Sequence, residues 1–432
     1  MRQVEDIRGL KFKEPVRIGV YSLAQLETML VRLMEKEMPD EKLRPYERGL
    51  KVLGLLPEDY DLKQGLLDLL QSQIGGFYDP DAKELRLVDR SQLDPEKASS
   101  GFSALLAGSG MKPEDADRII MAHELTHALQ DQHFGLKRFP IDVLDDDDMV
   151  TAVKSLVEGD ATALMTAWML KEKMGQTPER LFAMAPLIGM SMKASARMAL
   201  KELGDTPPYL AQTLVFPYLE GMSFALAAGA GKRGFKGIDA CYAEPPLSTE
   251  QVLHPRKHRG AKRDLPQVLT LPDLKPWLGE RTRPATSNTL GELFTRILLE
   301  GRPASRSRAR RAARGWDGDR YVLYETSPGR GAVLAWSSTW DSEKDAREAY
   351  EALALWLGAE PAKPEENAPD ATTPLLLLSR EEGRGDGLHL VGKEVSMVLD
   401  APEREIRPLL QALITRTVRR ERRELPPAES GR

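Results

Sequence analysis

The chain has 432 residues with 61 Lys and Arg against 66 Asp and Glu. Its net charge of −5 gives no electrostatic reason to expect nucleic acid or an anionic membrane as the main partner. With 41 % apolar and 29 % charged residues it reads as an ordinary globular protein, long enough for two or three cores. Cys241 is the single cysteine, which excludes an intrachain disulfide and a cysteine-based zinc site. The opening MRQVEDIRGLKFKEP lacks an apolar h-region, so no signal peptide is expected. The longest apolar runs, 161–170 and 181–192, are too short for a transmembrane segment. Cytoplasmic residence is the expectation, and an exported mature form would read the same.

Residues 16–20, Val-Arg-Ile-Gly-Val, alternate like a short strand. Ser22 and Gln25 then make a capping box ahead of a Leu23, Leu26, Leu30, Leu33 stripe that Pro39 ends. A second helix is expected over 62–73. Gly75, Gly76, Phe77 and Tyr78, the turn Asp79-Pro80-Asp81, and Leu85 to Val88 read as a β-hairpin. If a metal lies beside it, the edge at Gly76, Phe77 and Tyr78 is a substrate-binding candidate, since a free strand edge holds an extended peptide by main-chain hydrogen bonds. The Gly- and Ser-rich stretch 99–112 reads as a connector.

The stretch after it, PEDADRIIMAHELTHALQDQHF, predicts a long helix over 113–134. Pro113, Glu114 and Asp115 suit its first turn, where a missing N–H costs nothing and acids favour the dipole. Met121, Leu125, Ala128 and Leu129 form one apolar stripe, and Ala116, Ile120, His123 and His127 line another face. In its middle stands His123-Glu124-Leu125-Thr126-His127, the HExxH pattern. Two histidines four apart sit about 6 Å from each other on one face, where their ring nitrogens can share Zn2+. Glu124 projects beside the metal, as a base for a bound water. Three of the chain's six histidines fall between His123 and His133, and unpaired imidazoles in so apolar a helix would be costly.

Downstream, the acids 145–148 read as solvated charge starting a helix over 148–174. Helical stretches follow at 178–203 and 208–228, then a polar loop, 245–258, with His254 and His258. A Pro-punctuated connector, 263–315, includes a helix at 290–299. Its arginine-rich piece, 302–314, lacks interleaved aromatics and reads as a basic helix face, not a nucleic-acid tail. The last part shows strands at 320–326 and 331–337, a helix at 341–357, a linker at 359–372, strands at 375–379 and 388–399, and a helix at 402–418. This is ββα twice, a small α/β domain without a chemical constellation, and His389 in it reads as structural. The expected division is 1–98 and 99–262 for a catalytic unit, 263–315 for the connector and 316–432 for the C-terminal domain. No candidate ligand lies in 301–432, so the metal site is expected to form without it.

A catalytic zinc takes three protein ligands and an open position. For the third, His133 has the spacing of HExxHxxGxxH, the metzincin pattern, but Gln130 stands where that pattern needs glycine. If the helix continues, His133 turns about 240° from His127. Glu158 and Asp160 lie two apart on the next helix, about 200° from each other, so only one can face the metal. Asp160 lies within the Val153, Val157, Leu164 stripe and Glu158 at its edge.

HELTHA at 123–128 resembles the active-site helix of thermolysin-like peptidases. Glu158-Gly159-x-Ala161 is similar to the glutamate-bearing helix of gluzincins, metallopeptidases with two His and one Glu on zinc. The resemblance covers about 74–165. It implies an α+β fold with a mostly helical zincin-like catalytic domain, a small sheet and an edge strand above the zinc at Gly76, Phe77 and Tyr78. It implies His123, His127 and Glu158 as ligands, with Gly159 allowing close approach of the two metal-bearing helices, and Glu124 as base. A His or Tyr further along the chain would steady the oxyanion; His254 is the first candidate, with Tyr218 and Tyr242 behind it. Where gluzincins carry an acid four residues after the third ligand, this chain has Thr162, so Asp160 or Asp131 is expected to hold an imidazole N–H instead. The expected function is zinc-dependent hydrolysis of a peptide or protein substrate. The alternatives are a metzincin-type or non-peptide zinc hydrolase, and a zinc-stabilised scaffold or binding protein.

Overall fold

The computed structural model describes residues 1–72, 76–89, 113–141, 143–301, 306–326, 331–361 and 374–425. Gly75, the connector at 99–112 and most of the linker at 359–372 lie outside the described residues. The chain begins with α1 (Arg2–Arg8), β1 (Arg17–Tyr21), α2 (Leu23–Glu37), α3 (Asp40–Val52) and α4 (Leu62–Ser72). The capping box of α2 is formed, with Gln25 N–H on Ser22 Oγ at 3.3 Å and Ser22 N–H on Gln25 Oε1 at 2.8 Å. The sequence shows neither α1 nor α3 by pattern. α1 is only seven residues long, and Pro45 stands inside the charge-rich α3 where it reads as a break.

Strands β2 (Gly76–Asp79) and β3 (Glu84–Val88) form the expected hairpin, and β1 joins β3 in parallel, giving the order β1-β3-β2. Helix α5 (Pro113–Phe134) packs on β2 and β3, with Leu85 buried beneath it. Of its expected apolar stripe, Leu125, Ala128 and Leu129 are buried and Met121 is exposed.

α6 (Asp147–Met174) follows, stopped by Gly175 in a left-handed conformation. Of the acids at its start, Asp145 is exposed as expected, but Asp146, Asp147 and Asp148 are covered, contrary to expectation. Asp146 caps the helix by accepting from Met149 N–H at 3.1 Å and pairs with Arg422. Asp147 accepts from Tyr46 and Tyr209 hydroxyls at 2.6 and 3.0 Å, and Asp148 from Thr249 N–H at 2.9 Å. Buried carboxylates need such donors, and here loops and helices far along the chain supply them. The stretch 178–203 divides into α7 (Pro178–Ala183) and α8 (Ala185–Glu202), because Pro186 cannot continue a helix from the preceding turn. Then come α9 (Pro208–Ala228), α10 (Phe235–Ala243) and α11 (Thr249–Leu253).

The stretch read as a connector holds β4 (Gln267–Thr270), α12 (Lys275–Leu278), β5 (Arg283–Asn288) and α13 (Gly291–Glu300), and α14 (Arg306–Ala313) lies within the arginine-rich piece. β5 belongs to a six-stranded sheet with β6 (Trp316–Glu325), β7 (Ala332–Trp340), β8 (Leu375–Ser379), β9 (Arg384–Val391) and β10 (Glu394–Pro402). Its order is β5-β6-β7-β10-β9-β8, antiparallel throughout. The single strand expected at 388–399 is two strands turning at Gly392, whose φ of 57° suits a residue without Cβ. α15 (Glu343–Trp356) lies on one face of the sheet and α16 (Glu403–Arg416) on the other, and β11 (Val418–Glu421) pairs with β4. His389 is buried in β9.

Alternation along the strands decides what each face covers. Val322, Tyr324, Val333, Ala335 and Val398 meet Ile406, Leu409 and Leu410 of α16 in a small core. Tyr321, Leu323, Leu334, Trp336 and Met397 face the other way, into one continuous core with Leu125, Leu129, Leu156 and Leu164 of the helical layer. Asp319 fastens the join. Its buried carboxylate accepts from Leu290 and Gly291 N–H at 3.0 and 2.9 Å and from the indoles of Trp316 and Trp336 at 2.8 Å each. The fold is thus α+β, with a small three-stranded sheet and a six-stranded one. Among the described residues no helix is long and apolar enough to cross a membrane.

Candidate metal centre

The helical face of α5 turns His123 and His127 toward α6, and Glu158 comes up from α6 to meet them. His123 Nε2 lies 3.1 Å from His127 Nε2 and 3.1 Å from Glu158 Oε2, and His127 Nε2 lies 3.5 Å from the same oxygen. Ligand atoms about 2.0–2.1 Å from a tetrahedral zinc stand about 3.3 Å apart, so the triangle has the size such an ion needs. Two imidazole nitrogens and a carboxylate oxygen also have the right chemistry. The side chains of His123, His127 and Glu158 are 4, 11 and 23 % exposed, so the cluster is walled on the helix side and reached by solvent at Glu158.

The carboxylate and the rings of the triangle are electrostatically coupled. Burial alone would lower the His127 pKa, but the Glu158 carboxylate outweighs it and lifts the value to about 9. Burial likewise acts to raise Glu158, yet the charge on His127 and hydrogen bonds from both rings hold it well below the usual carboxylate range.

Glu124 stands outside the triangle. Its Oε2 accepts the Tyr78 N–H at 3.0 Å, which ties the carboxylate to β2. Burial raises its pKa and the two histidines pull against that rise. Tyr78 also donates its hydroxyl to Asp131 at 3.1 Å, so β2 is fastened to α5 twice. Gly76 has a φ of 155°, and a Cβ there would fall 2.8 Å from the Arg86 carbonyl, so only glycine fits the start of this strand. Phe77 pairs with Arg86 in β3 and its ring lies under that residue's guanidinium, 5.8 Å from it.

The other sequence candidates are placed as follows. His133 bonds the Lys11 carbonyl at 2.7 Å, because the helix continues past Gln130 and carries it round. Asp160 points away from the triangle to Arg8, Gln130 and Tyr242. It reaches His127 only through Gln130, whose Oε1 is 2.8 Å from His127 Nδ1. Asp131, expected to hold an imidazole, instead accepts from Tyr78 and from Leu136 N–H at 3.0 Å, closing the turn after α5. His254 is drawn to Glu292 at 3.0 Å, at the end of α11, and does not join the cluster. Tyr242 gives its hydroxyl to Asp160 at 2.9 Å. Of the three oxyanion candidates, Tyr218 is the one whose ring lies by a histidine of the triangle, 6.0 Å from that of His123. Loss of water contact, then the Glu158 and Glu124 carboxylates, raise its pKa well above the ordinary tyrosine value, so it is a neutral donor.

Gln130 and Arg8 are the residues that sequence reasoning passed over. Gln130 had a legible signal, standing three after His127 and so beside it on the helix. Arg8 had none, since its partners are brought to it by tertiary packing. Gly159 serves a different approach from the one expected: a Cβ there would fall 2.2 Å from the Gly221 carbonyl, so it admits α9, not α5.

A second acidic group, Glu250, Asp264 and Asp341, gathers between α11 and the six-stranded sheet. Lys257 Nζ already sits among these carboxylates at 2.7, 2.9 and 2.5 Å, so an internal cation fills that position.

Residues 280–405 match a family described as a domain of unknown function, DUF8575. The match takes in the six-stranded sheet from β5 to β10 and none of the candidate ligands. No curated protein and no solved structure matches the chain.

Proposed function

We propose that the protein is a zinc-dependent metallopeptidase of the gluzincin kind, acting on a peptide or protein substrate. The supporting observation is the convergence of His123, His127 and Glu158 on one point, with Glu124 beside them and not among them. A zinc ion bound by these three groups supplies Lewis-acid chemistry, polarising a carbonyl and lowering the pKa of a bound water. A purely structural site takes four protein ligands, and among the described residues three converge here, which favours a hydrolase over a scaffold.

The chain's own residues divide the remaining work. Glu124 takes the proton of the attacking water and passes it to the leaving amine. The Tyr78 N–H holds one of its carboxylate oxygens in place beside the three groups. The outer edge of β2 runs beside Glu124, where an extended substrate strand aligns by main-chain hydrogen bonds. Tyr218 offers its hydroxyl to the oxygen that gains charge as the carbonyl is attacked.

Folded, unchelated protein is expected to carry one zinc per chain, and Glu124→Gln to keep that zinc while losing hydrolysis of a peptide library. Metal-free folded protein, or a Glu124→Gln variant that cleaves like the parent, overturns this function.

A further inference from the structure

Behind His127 a line of hydrogen bonds runs to the N-terminal helix. The Gln130 amide gives its hydrogens to the Val157 carbonyl and to Asp160 Oδ2, both at 3.0 Å. Its oxygen is therefore the atom that faces His127 Nδ1 at 2.8 Å. Opposite an acceptor, Nδ1 carries a hydrogen, and this leaves Nε2 free to turn a lone pair toward the triangle. The reverse amide orientation would set an oxygen against a carbonyl and a carboxylate, so it is excluded.

Asp160 is in turn fully enclosed. Arg8 grips both its oxygens, with Nε at 3.0 Å from Oδ1 and a terminal nitrogen at 3.1 Å from Oδ2, and Tyr242 donates at 2.9 Å. The same guanidinium reaches Asp239 at 2.6 Å and lies over the Phe235 ring. Arg8 ends α1, where Gly9 turns the chain away with a φ of 73°. Val4 and Ile7 already seat α1 by apolar burial. A buried ion pair adds little to stability over an apolar equivalent, so docking strength does not account for the arrangement.

We infer that Arg8, Asp160 and Gln130 form one positioning unit that sets the tautomer and ring angle of His127, coupling α1 to metal binding through the Arg8 side chain and not through the apolar seat of the helix. This rests on the metal reading of His123, His127 and Glu158 and adds a device to it: the N-terminal helix reports its own presence to the centre through a single arginine. None of the three touches the ion; each acts through His127.

The test compares Arg8→Met and Gln130→Leu with two controls, Asp239→Asn and Ile7→Ala, in the full chain. Zinc affinity is measured by chelator competition, the cobalt-substituted protein by its visible absorption, and stability by thermal unfolding. Arg8→Met and Gln130→Leu are each expected to weaken zinc by about 10- to 100-fold and to shift the cobalt bands, as loss of a histidine's outer partner does. The double variant is expected to fall short of the sum of the two, because the residues act in series. Asp239→Asn and Ile7→Ala are expected to change the unfolding temperature alone. Folded Arg8→Met and Gln130→Leu proteins with parental affinity and spectrum overturn the inference. So does Ile7→Ala weakening zinc as much, since general loosening then suffices. Gln130 hydrogen-bonds His127, Val157 and Asp160 and no residue of α1, so that variant decides the matter even where Arg8→Met fails to fold. A parent that binds neither zinc nor cobalt sinks the metal reading itself; a parent that binds while the variants match it sinks only the positioning unit.

Discussion

Gly159 of α6 and Gly221 of α9 lie backbone to backbone, so close that a Cβ on Gly159 would stand 2.2 Å from the Gly221 carbonyl. A Cβ on Gly221 would stand equally close, 2.2 Å, to the Ser155 carbonyl one turn back along α6. The crossing adjoins the candidate centre on both sides, since Glu158 precedes Gly159 and Tyr218 lies one turn before Gly221. The separation of these two helices therefore sets how near Tyr218 stands to the ligands.

Gly159→Ala is accordingly expected to force α6 and α9 apart, at about 1–3 kcal/mol for overpacking a filled core. Thermal unfolding would show the loss, and zinc competition would show weaker binding because Glu158 moves with its helix. An alanine variant with parental stability would mean that the crossing is slack.

Tyr218→Phe tests the oxyanion role apart from the metal. Zinc content and KM should stay near parental while kcat falls by about 10²–10³-fold, the range for removing one such donor. His254→Phe, by contrast, should leave kcat within a few-fold, since His254 is engaged with Glu292. If the two results are exchanged, the sequence-based preference for His254 was right and the geometric one wrong.

His258 predicts a pH dependence of stability. Burial, reinforced by Arg263 and Arg259, pushes its pKa from 6.5 down to about 3, although the Glu244 carbonyl it bonds at 2.7 Å acts the other way. As pH falls below 6.5 the unfolded chain takes up a proton here that the folded protein refuses until about 3. The contribution is thus fully present above the unfolded pKa and is lost on acidification through that window. Unfolding free energies measured from pH 7 to 4 should drop more steeply for the parent than for His258→Gln. Parallel slopes would contradict the burial argument.

Ending the chain at residue 301 is expected to abolish folding and metal binding together. The sequence offers no ligand beyond that point and so suggests a separable site, but Arg422 pairs with Asp146 at the start of α6 and Arg320 with Asp145 at 2.9 Å. Trp336 and Met397 also complete the core that holds Leu156. Circular dichroism and metal content of the fragment would decide, and a folded, zinc-loaded fragment would show two independent units.

What could be read from the residues was whatever a short-range period encodes. The histidine pair four apart, the capping box at Ser22 and Gln25, and the hairpin turning at Asp79 to Asp81 each declare themselves within a few residues. The choice between Glu158 and Asp160 could not be made by periodicity, since both lie near the same stripe; in the structure the fork of Arg8, 152 residues away, claims Asp160. Asp146, Asp147 and Asp148 at the start of α6 misled because charge runs are usually solvated, and nothing nearby announces that Tyr46, Tyr209, Thr249 and Arg422 will cover them. Partners so distant in sequence leave no local trace.

The double anchoring of α6, by Arg8 at its middle and Arg422 at its start, has a consequence during synthesis. A chain emerges from the ribosome from its first residue onward, at about 5–20 residues per second. HExxH and Glu158 emerge in the first half, yet the helix that carries Glu158 acquires its N-terminal clasp only once residue 422 is out. That clasp therefore waits until residue 422 has been made, and a nascent chain stopped before it would hold the candidate ligands without the ion pair that fixes the start of the Glu158 helix.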